Sequence, residues 1–137
     1  MKAEIYKDEG YKLMGAASEV YRERGFGLAE EIYQECMEIE LEMRGISFVS
    51  KNGLTCFYKD RELKKRYVPD LLAFGAVLAE LKSVNRLLPE HEAQLINYLR
   101  LTKRPVGYLI NFGRGDMLEW QRIILSEYIS GSEISGN

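Results

Sequence analysis

Asp70, Glu80 and Lys82 are the residues of this chain whose types and spacing best suit chemistry. The sequence around them predicts two β-strands, and in the second strand Glu80 and Lys82 point to the side opposite Leu81. Before its end this strand is apolar on both faces, which is typical of a central, buried strand. A buried charge must be paired or must bind a metal. A strand ending in Glu-x-Lys beside a strand ending in Asp therefore predicts a hard-cation site with a lysine next to it.

The elements that must position these residues predict an α/β fold with a mixed sheet. The predicted helices cover residues 11–24, 28–44 and 89–101, and the predicted strands cover residues 46–50, 54–58, 63–72, 76–82, 105–112 and 117–125. The first three strands are expected to form a meander, with Lys51-Asn52-Gly53 as its first hairpin turn. Strand 76–82, the third helix and strand 105–112 are expected to form a right-handed βαβ unit. Lys82 then lies at the carboxyl end of its strand, where ligands bind in open α/β sheets.

Length and composition predict one globular domain. The chain has 137 residues, of which 46% are hydrophobic and 29% charged, as is typical of a fold with a single core. We expect a single domain over residues 1–128 and a disordered tail over 129–137. No apolar run approaches the roughly 18 residues that span a bilayer, and the first residues lack an apolar signal region, so we expect a cytoplasmic protein without membrane contact. Cys36 and Cys56 lack metal-ligand spacing and are interpreted as reduced core residues.

Charge is distributed unevenly along the chain, whose formal net charge is −2. Residues 1–50 carry a net charge of −5, residues 51–104 carry +5 and residues 105–137 carry −2. A polyanionic ligand would therefore meet positive charge in the segment that contains Asp70, Glu80 and Lys82. The alternative is that these charges form solvated faces, since a protein that binds DNA nonspecifically is more often basic overall.

Two helix faces carry further polar residues that could join this site. On the third helix, His91, Gln94 and Tyr98 share one face because their spacing is i, i+3 and i+7. On the second helix, Glu30 and Tyr33 also share a face. Simpler interpretations exist for each: a solvent-facing stripe for Gln94 and Tyr98, a helix-start residue for His91, and a favourable contact of Glu30 with the helix dipole.

Four motifs occur in order between about residues 10 and 125: Gly27-x-x-Glu30-x-x-Tyr33, Pro69-Asp70, Glu80-Leu81-Lys82 and Gln94-x-x-x-Tyr98. Together they resemble the GxxExxY protein family of the PD-(D/E)xK nuclease superfamily. The two helical motifs also resemble the RecB-like branch of that superfamily. The resemblance implies a restriction-endonuclease-like α/β fold, in which helices flank a mixed β-sheet.

The resemblance implies a binding site for Mg²⁺ or Mn²⁺. Asp70 and Glu80 would hold the ion, the backbone carbonyl of Leu81 and water molecules would complete an oxygen octahedron, and Glu30 would be a further ligand of the ion or its water. Such an ion lowers the pKa of a bound water and neutralises charge on the scissile phosphate. Lys82 would orient that water or stabilise the pentavalent phosphorus centre.

The resemblance also implies roles for residues beside the metal site. Gln94 and Tyr98 would position Lys82 or the nucleic acid backbone. Lys64 and Arg66 are expected to contact phosphates, because alternation along a strand over 63–72 puts them on the side of Asp70 and turns Lys65 away.

The sequence therefore predicts a metal-dependent nuclease that hydrolyses phosphodiester bonds in nucleic acid, with DNA as the expected substrate. The alternative is a catalytically weak or inactive nuclease-fold module that binds nucleic acid, or that acts as a subunit of a larger nucleic-acid-processing complex. A protein partner or a homodimer is left open at this point, as are the strandedness and polarity of the substrate.

Overall fold

The computed structural model of the chain describes residues 5–129. In chain order the elements are α1 (Lys7–Arg24), α2 (Glu30–Met43), β1 (Phe48–Ser50), β2 (Leu54–Tyr58), β3 (Arg61–Tyr67), β4 (Leu71–Ala73), β5 (Val77–Lys82), α3 (Pro89–Thr102), β6 (Val106–Asn111), β7 (Glu119–Ile124) and a short 3-10 helix (Ser126–Tyr128). None of the helices in this part of the chain has the length and apolar character needed to span a bilayer. The tail predicted over 129–137 lies, apart from Ile129, outside the described residues.

The main sheet has five strands in the order β1-β4-β5-β6-β7. β5 and β6 are parallel neighbours joined through α3, whereas the other neighbouring strands are antiparallel. The predicted βαβ unit is therefore present, and it lies in the interior of the sheet. A mixed sheet flanked by helices is consistent with the restriction-endonuclease-like fold that the motifs implied.

Helices cover both faces of the main sheet, and the alternation of β5 divides its side chains between them. Val77, Ala79 and Leu81 join the cluster that contains the buried residues of α1 and α2. Leu78 joins a second cluster with Leu95 and Leu99 of α3 and with residues of β2 and β3. The predicted orientation of this strand is confirmed, and its burial on both faces explains its apolar sequence.

Two predictions about the strands before Asp70 are wrong. β1 and β2 do not form a hairpin with each other, because β1 pairs with β4 in the main sheet and β2 pairs with β3 in a separate two-stranded sheet. The strand predicted over 63–72 is two strands in different sheets, interrupted at Val68-Pro69-Asp70. Pro69 explains the interruption, since it cannot donate a hydrogen bond to a ladder. Asp70 therefore precedes a strand instead of ending one.

The helix ends differ from the predictions by a few residues. α1 begins four residues earlier than expected, and α2 begins at Glu30 because residues 25–28 form a turn with positive φ at Gly25 (74°) and Gly27 (82°). Glycine adopts this conformation without the steric cost that a side chain would add.

Cys56 is buried, Cys36 is half-buried against the core, and both are free thiols, as predicted.

Candidate active site

Asp70 and the Glu80-Leu81-Lys82 segment meet through two direct hydrogen bonds. The backbone N–H of Asp70 donates to Oε2 of Glu80 over 3.2 Å, and the backbone N–H of Leu81 donates to Oδ2 of Asp70 over 2.7 Å. The pairing of β4 with β5 brings about this meeting, since Leu71 lies opposite Ala79 in the register. Each acidic side chain is thus held by the backbone of the other segment, and the proximity predicted from the sequence is confirmed.

Lys51 supplies the positive charge nearest to Asp70. Its Nζ lies 2.5 Å from Oδ1 of Asp70, whose side chain is 15% exposed. The pKa of the Lys51 ammonium is raised, first by this hydrogen bond and then by the charges of Asp70, Glu80 and Glu30. Sequence reasoning missed this role because it interpreted Lys51 only as the first residue of a hairpin turn.

Glu80 is half-buried in an environment that disfavours its ionised form. Burial and the charge of Asp70 raise its pKa from 4.5 to about 7, although the hydrogen bonds from Tyr67 and from the Asp70 N–H, and the charge of Lys82, act in the opposite direction. The Tyr67 hydroxyl donates directly to Oε2 of Glu80. Burial and the Glu80 charge in turn raise the pKa of Tyr67. Tyr67 is a second residue that the sequence did not single out.

Of the three polar residues predicted on one face of α3, Tyr98 reaches the site. Its ring stacks on Tyr67 with centroids 3.9 Å apart, and burial and then the charge of Glu80 raise its pKa. Gln94 is exposed, and its side chain makes no hydrogen bond within residues 5–129. Nδ1 of His91 accepts the backbone N–H of Leu88 over 2.9 Å, so this histidine caps the start of α3, in line with the simpler interpretation.

Lys82 is half-buried at the end of β5, and its positive charge acts on Glu80. Within residues 5–129 its ammonium has neither a hydrogen bond nor an ion pair. The buried Asn111, which lies opposite Lys82 in β6, fixes the loop that follows. Its side chain accepts the Val84 N–H and donates to the Val84 carbonyl, each over 2.9 Å. The backbone near Lys82 is thus held in place, whereas its ammonium has no hydrogen-bond or ion-pair partner among residues 5–129.

Tyr33 anchors the turn that presents Glu30. Its buried hydroxyl donates to the Gly25 carbonyl over 2.7 Å and accepts the Leu28 N–H over 3.1 Å, and its ring stacks on Phe112 at 4.5 Å. The tyrosine of the Gly-x-x-Glu-x-x-Tyr motif is therefore structural, because it fixes the turn before α2. Glu30 follows as the exposed first residue of that helix.

Two neighbouring cavities surround these residues. A cleft of about 580 Å³ is lined by Glu30, Glu31, Gln34, Glu35, Glu38, Lys51, Asp70 and Leu81. Glu80 instead lines a cavity of about 390 Å³ with Cys56, Leu63, Lys65, Arg66, Tyr67, Val68, Tyr98 and Leu101. Gln34 stiffens the first cleft, since its Nε2 donates to the Asp70 carbonyl over 2.9 Å. The acidic pair thus lies at the boundary between the two cavities.

The donors of the first cleft fit a hard divalent cation. Asp70 and Glu30 supply carboxylate oxygens, which such ions prefer, and Leu81 also lines this cleft. The fields of Asp70, Glu80 and Glu30 all act on the Lys51 ammonium, so a positive charge is already stabilised there. Among residues 5–129, however, no three acidic, histidine or cysteine side chains gather in a metal-binding arrangement. The ligand set of Asp70, Glu80, Glu30 and the Leu81 carbonyl stays a prediction.

The orientation that the sequence predicted for Lys65 of β3 is wrong. The argument that placed Lys64 and Arg66 beside Asp70 required an unbroken strand, and β3 ends at Tyr67. Lys65 lines the Glu80 cavity together with Arg66, although alternation along the expected strand turned it away. The Arg66 guanidinium donates to Oγ1 of Thr55 over 2.6 Å. Phosphate contacts by Lys64 and Arg66 stay predictions, and Lys65 becomes a further candidate.

Comparison with known proteins bears on this geometry. A family model described as the PD-(D/E)XK nuclease superfamily matches residues 7–123. The chain is also similar to the crystal structure of SSO0001, with a TM-score of 0.55 and 18% sequence identity over 96% of this chain and 69% of that chain. At this identity the likeness concerns the fold alone. The comparison with curated proteins gives no match.

Proposed function

Because the chain belongs to the PD-(D/E)XK nuclease superfamily, we propose that it is a metal-dependent nuclease that hydrolyses phosphodiester bonds in DNA. Nucleases of this superfamily generally use divalent metal ions. The observation that carries the proposal is the pair of hydrogen bonds that joins Asp70 to Glu80 and Leu81 at the end of the central strand. We further propose membership of the GxxExxY family, on the strength of the four motifs together, and of the RecB-like branch, on the strength of the two helical motifs.

Asp70, Glu80, Glu30 and the Leu81 carbonyl would hold Mg²⁺ or Mn²⁺, which when bound would lower the pKa of a water and neutralise charge on the scissile phosphate. The Leu81 N–H orients the Asp70 carboxylate, and Tyr67 orients Glu80. The Lys82 ammonium, at the end of β5, has no hydrogen bond or ion pair among residues 5–129. It stabilises the negative charge that develops on the phosphate oxygens.

The nucleic acid is proposed to lie across the Glu80 cavity. Lys65, Arg66 and Tyr98 all line this cavity, so cationic and aromatic groups border the acidic pair. Lys64 and Gln94 are exposed nearby in the sequence of β3 and α3, where they would contact the phosphate backbone. Such contacts carry no base information, which favours recognition of the backbone over recognition of a sequence.

The second candidate is a nuclease-fold module that binds nucleic acid with little or no turnover, alone or as a subunit of a larger complex. Two observations favour it: the Lys51 ammonium holds Oδ1 of Asp70, and Glu80 faces Tyr67 in a different cavity from Glu30. An ammonium that neutralises the site would permit binding of a polyanion without catalysis.

Cleavage assays on three variants distinguish these candidates. Labelled single- and double-stranded DNA is incubated with wild type, Lys82→Ala, Asp70→Asn and the control Lys12→Ala, which changes an exposed lysine of α1, in Mn²⁺, Mg²⁺ or chelator. The nuclease proposal expects metal-dependent cleavage, a loss of about 100-fold or more in Lys82→Ala, the scale of losing one preorganised charge, and wild-type activity in Lys12→Ala. DNA binding by wild type without metal-dependent cleavage of either substrate would establish the binding module instead.

Melting temperatures test the metal site separately from turnover. Divalent cation should raise the melting temperature of wild type and of Lys82→Ala, because it binds the folded state. The shift should vanish in Asp70→Asn and shrink in Glu80→Gln. An equal shift in wild type and Asp70→Asn would exclude Asp70 as a ligand.

A further inference from the structure

A third cleft, of about 810 Å³, lies between α1 and β7. Its lining includes Lys7 and Tyr11 of α1, Arg44 after α2, and Tyr108, Trp120 and Arg122 of the sheet. None of these residues lines the cavities of Asp70 or Glu80. Arg44 follows the last residue of α2, whereas Glu30 begins that helix, and its 14 residues separate the two ends by about 20 Å. The role of this cleft must therefore be inferred from its own lining residues.

Aromatic rings form both walls of this cleft. On the sheet, Tyr108 and Trp120 stack with centroids 6.0 Å apart and an interplanar angle of 23°. On α1, Tyr11 is 82% exposed, and Trp120 is 48% exposed. A Cβ at Gly10 would lie 1.8 Å from the Tyr108 hydroxyl oxygen, so only glycine lets this tyrosine pack beneath α1. Aromatic side chains from α1 and from the sheet therefore line the same cleft.

Three cations line the same cleft without any carboxylate among the lining residues. The guanidinium of Arg122 donates to the Ile5 carbonyl, and Nε of Arg44 lies 2.7 Å from the carboxylate of Glu40, so both are held in place before a ligand arrives. Lys7 and Arg44 belong to residues 1–50, a segment with a net charge of −5. The Glu40 carboxylate compensates part of the Arg44 charge, so Lys7 and Arg122 supply most of the positive charge that would favour an anionic ligand.

We propose that the cleft between α1 and β7 binds a nucleotide, with the base between Tyr11 and Trp120 and the phosphate near Lys7, Arg44 and Arg122. Stacking on aromatic rings tolerates any base, and arginine recognises phosphate through paired N–H donors. The nucleotide is either free in solution or part of a single strand. This site is separate from the cavities of Asp70 and Glu80 and does not require that the protein cleave DNA.

The protein contains one tryptophan, Trp120, so fluorescence excited at wavelengths that tyrosine does not absorb reports on this cleft. Metal-free protein in chelator is titrated with adenosine monophosphate, with an eight-residue oligothymidylate and with inorganic phosphate. Saturable quenching by the nucleotide and the oligomer, without quenching by phosphate alone, is expected. Binding of the oligomer at least about tenfold tighter than the mononucleotide indicates a strand, whereas equal affinities indicate a free nucleotide. Absence of saturable quenching by both would overturn the proposal, as would equal quenching by phosphate.

Variants locate the binding. Tyr11→Ala should weaken binding by roughly tenfold, the scale of one lost base stack, and the control Ile39→Ala, which truncates an exposed apolar residue of α2, should not. Lys7→Ala should flatten the salt dependence of oligomer binding by about 0.7, and Lys12→Ala should leave it unchanged. Asp70→Asn should retain full quenching.

Three results would contradict this location. Equal effects of Lys7→Ala and Lys12→Ala would mean that binding is diffuse. Loss of quenching in Asp70→Asn would indicate that the nucleotide binds in the cleft lined by Asp70 instead. Self-association that Tyr11→Ala abolishes, measured by sedimentation, would make this face an interface between copies of the chain.

Discussion

The protonation of Glu80 in the metal-free protein gives a prediction whose sign and size follow from its environment. Burial and the charge of Asp70 raise its pKa in the folded state from 4.5 to about 7. Between these values the folded protein keeps a proton that the unfolded chain has lost, so the free energy of unfolding falls as the pH rises through this window. Glu80→Gln removes this titration but keeps an oxygen that can accept from Tyr67 and from the Asp70 N–H.

The interval from 4.5 to about 7 corresponds to about 3 kcal/mol, at about 1.36 kcal/mol for each pH unit. Wild type and Glu80→Gln should therefore have similar free energies of unfolding near pH 4. They should diverge through the window, and above pH 7 the variant should be more stable by up to about 3 kcal/mol. This gain is expected only without divalent cation, because a cation at the acidic pair favours the ionised carboxylate.

Urea denaturation followed by Trp120 fluorescence, in chelator from pH 4 to 8, measures this difference. Glu92→Gln makes the same chemical change on the exposed face of α3 and should follow the wild-type curve. Parallel curves for wild type and Glu80→Gln across the whole range would refute the reasoning. So would a difference that grows towards low pH, which would mean that the ionised carboxylate stabilises the fold.

Three further predictions concern Lys51 beside Asp70, the Tyr33 turn that precedes Glu30, and the lysines of β3. Lys51→Met should tighten divalent cation binding, measured by calorimetry, because it removes the ammonium that competes for Oδ1 of Asp70; weaker binding would contradict this. Tyr33→Phe should lower the free energy of unfolding in urea by about 1 kcal/mol, since two hydrogen bonds are lost while the ring stack remains; an unchanged value would show that the turn does not need the hydroxyl. In DNA-binding titrations Lys65→Ala should weaken affinity more than Lys64→Ala, because Lys65 lines the Glu80 cavity; the reverse order would restore the orientation expected from the sequence.

Sequence patterns correctly predicted the features that depend on neighbouring residues, namely the orientation of β5 and the start of α3. The prediction of which β5 side chains share a face was correct, because that division follows from alternation along the strand itself. The predicted start of α3 at Pro89 was also correct, since proline is favoured at the first helical position. The predicted partner of β1 was wrong because strand pairing depends on residues that are distant in the sequence. Pro69 ends β3, so β4 is a separate strand, and β1 pairs with β4.

The parts of the candidate site that sequence reasoning missed depend on contacts between distant residues. Lys51 reaches Asp70 across 19 positions, and Tyr67 reaches Glu80 across 13. Neither residue has a spacing that marks it, because turns and basic strands commonly contain lysine and tyrosine. Only the folding of β3 over α3 brings the Tyr67 ring onto Tyr98.

The two-stranded sheet has an evolutionary consequence that follows from where it is attached. Ser50 pairs with Leu71, and the Lys51 N–H donates to the Asp70 carbonyl over 3.3 Å, so residues 52–69 leave the main sheet and return to the same point. The cost of closing such an excursion grows slowly with its length. Insertions and deletions in it would leave Asp70 in register with Glu80. Apart from Cys56 and Tyr67, which pack in the second core cluster, the excursion can thus change in length, and it supplies both the tyrosine that holds Glu80 and the basic side chains around it.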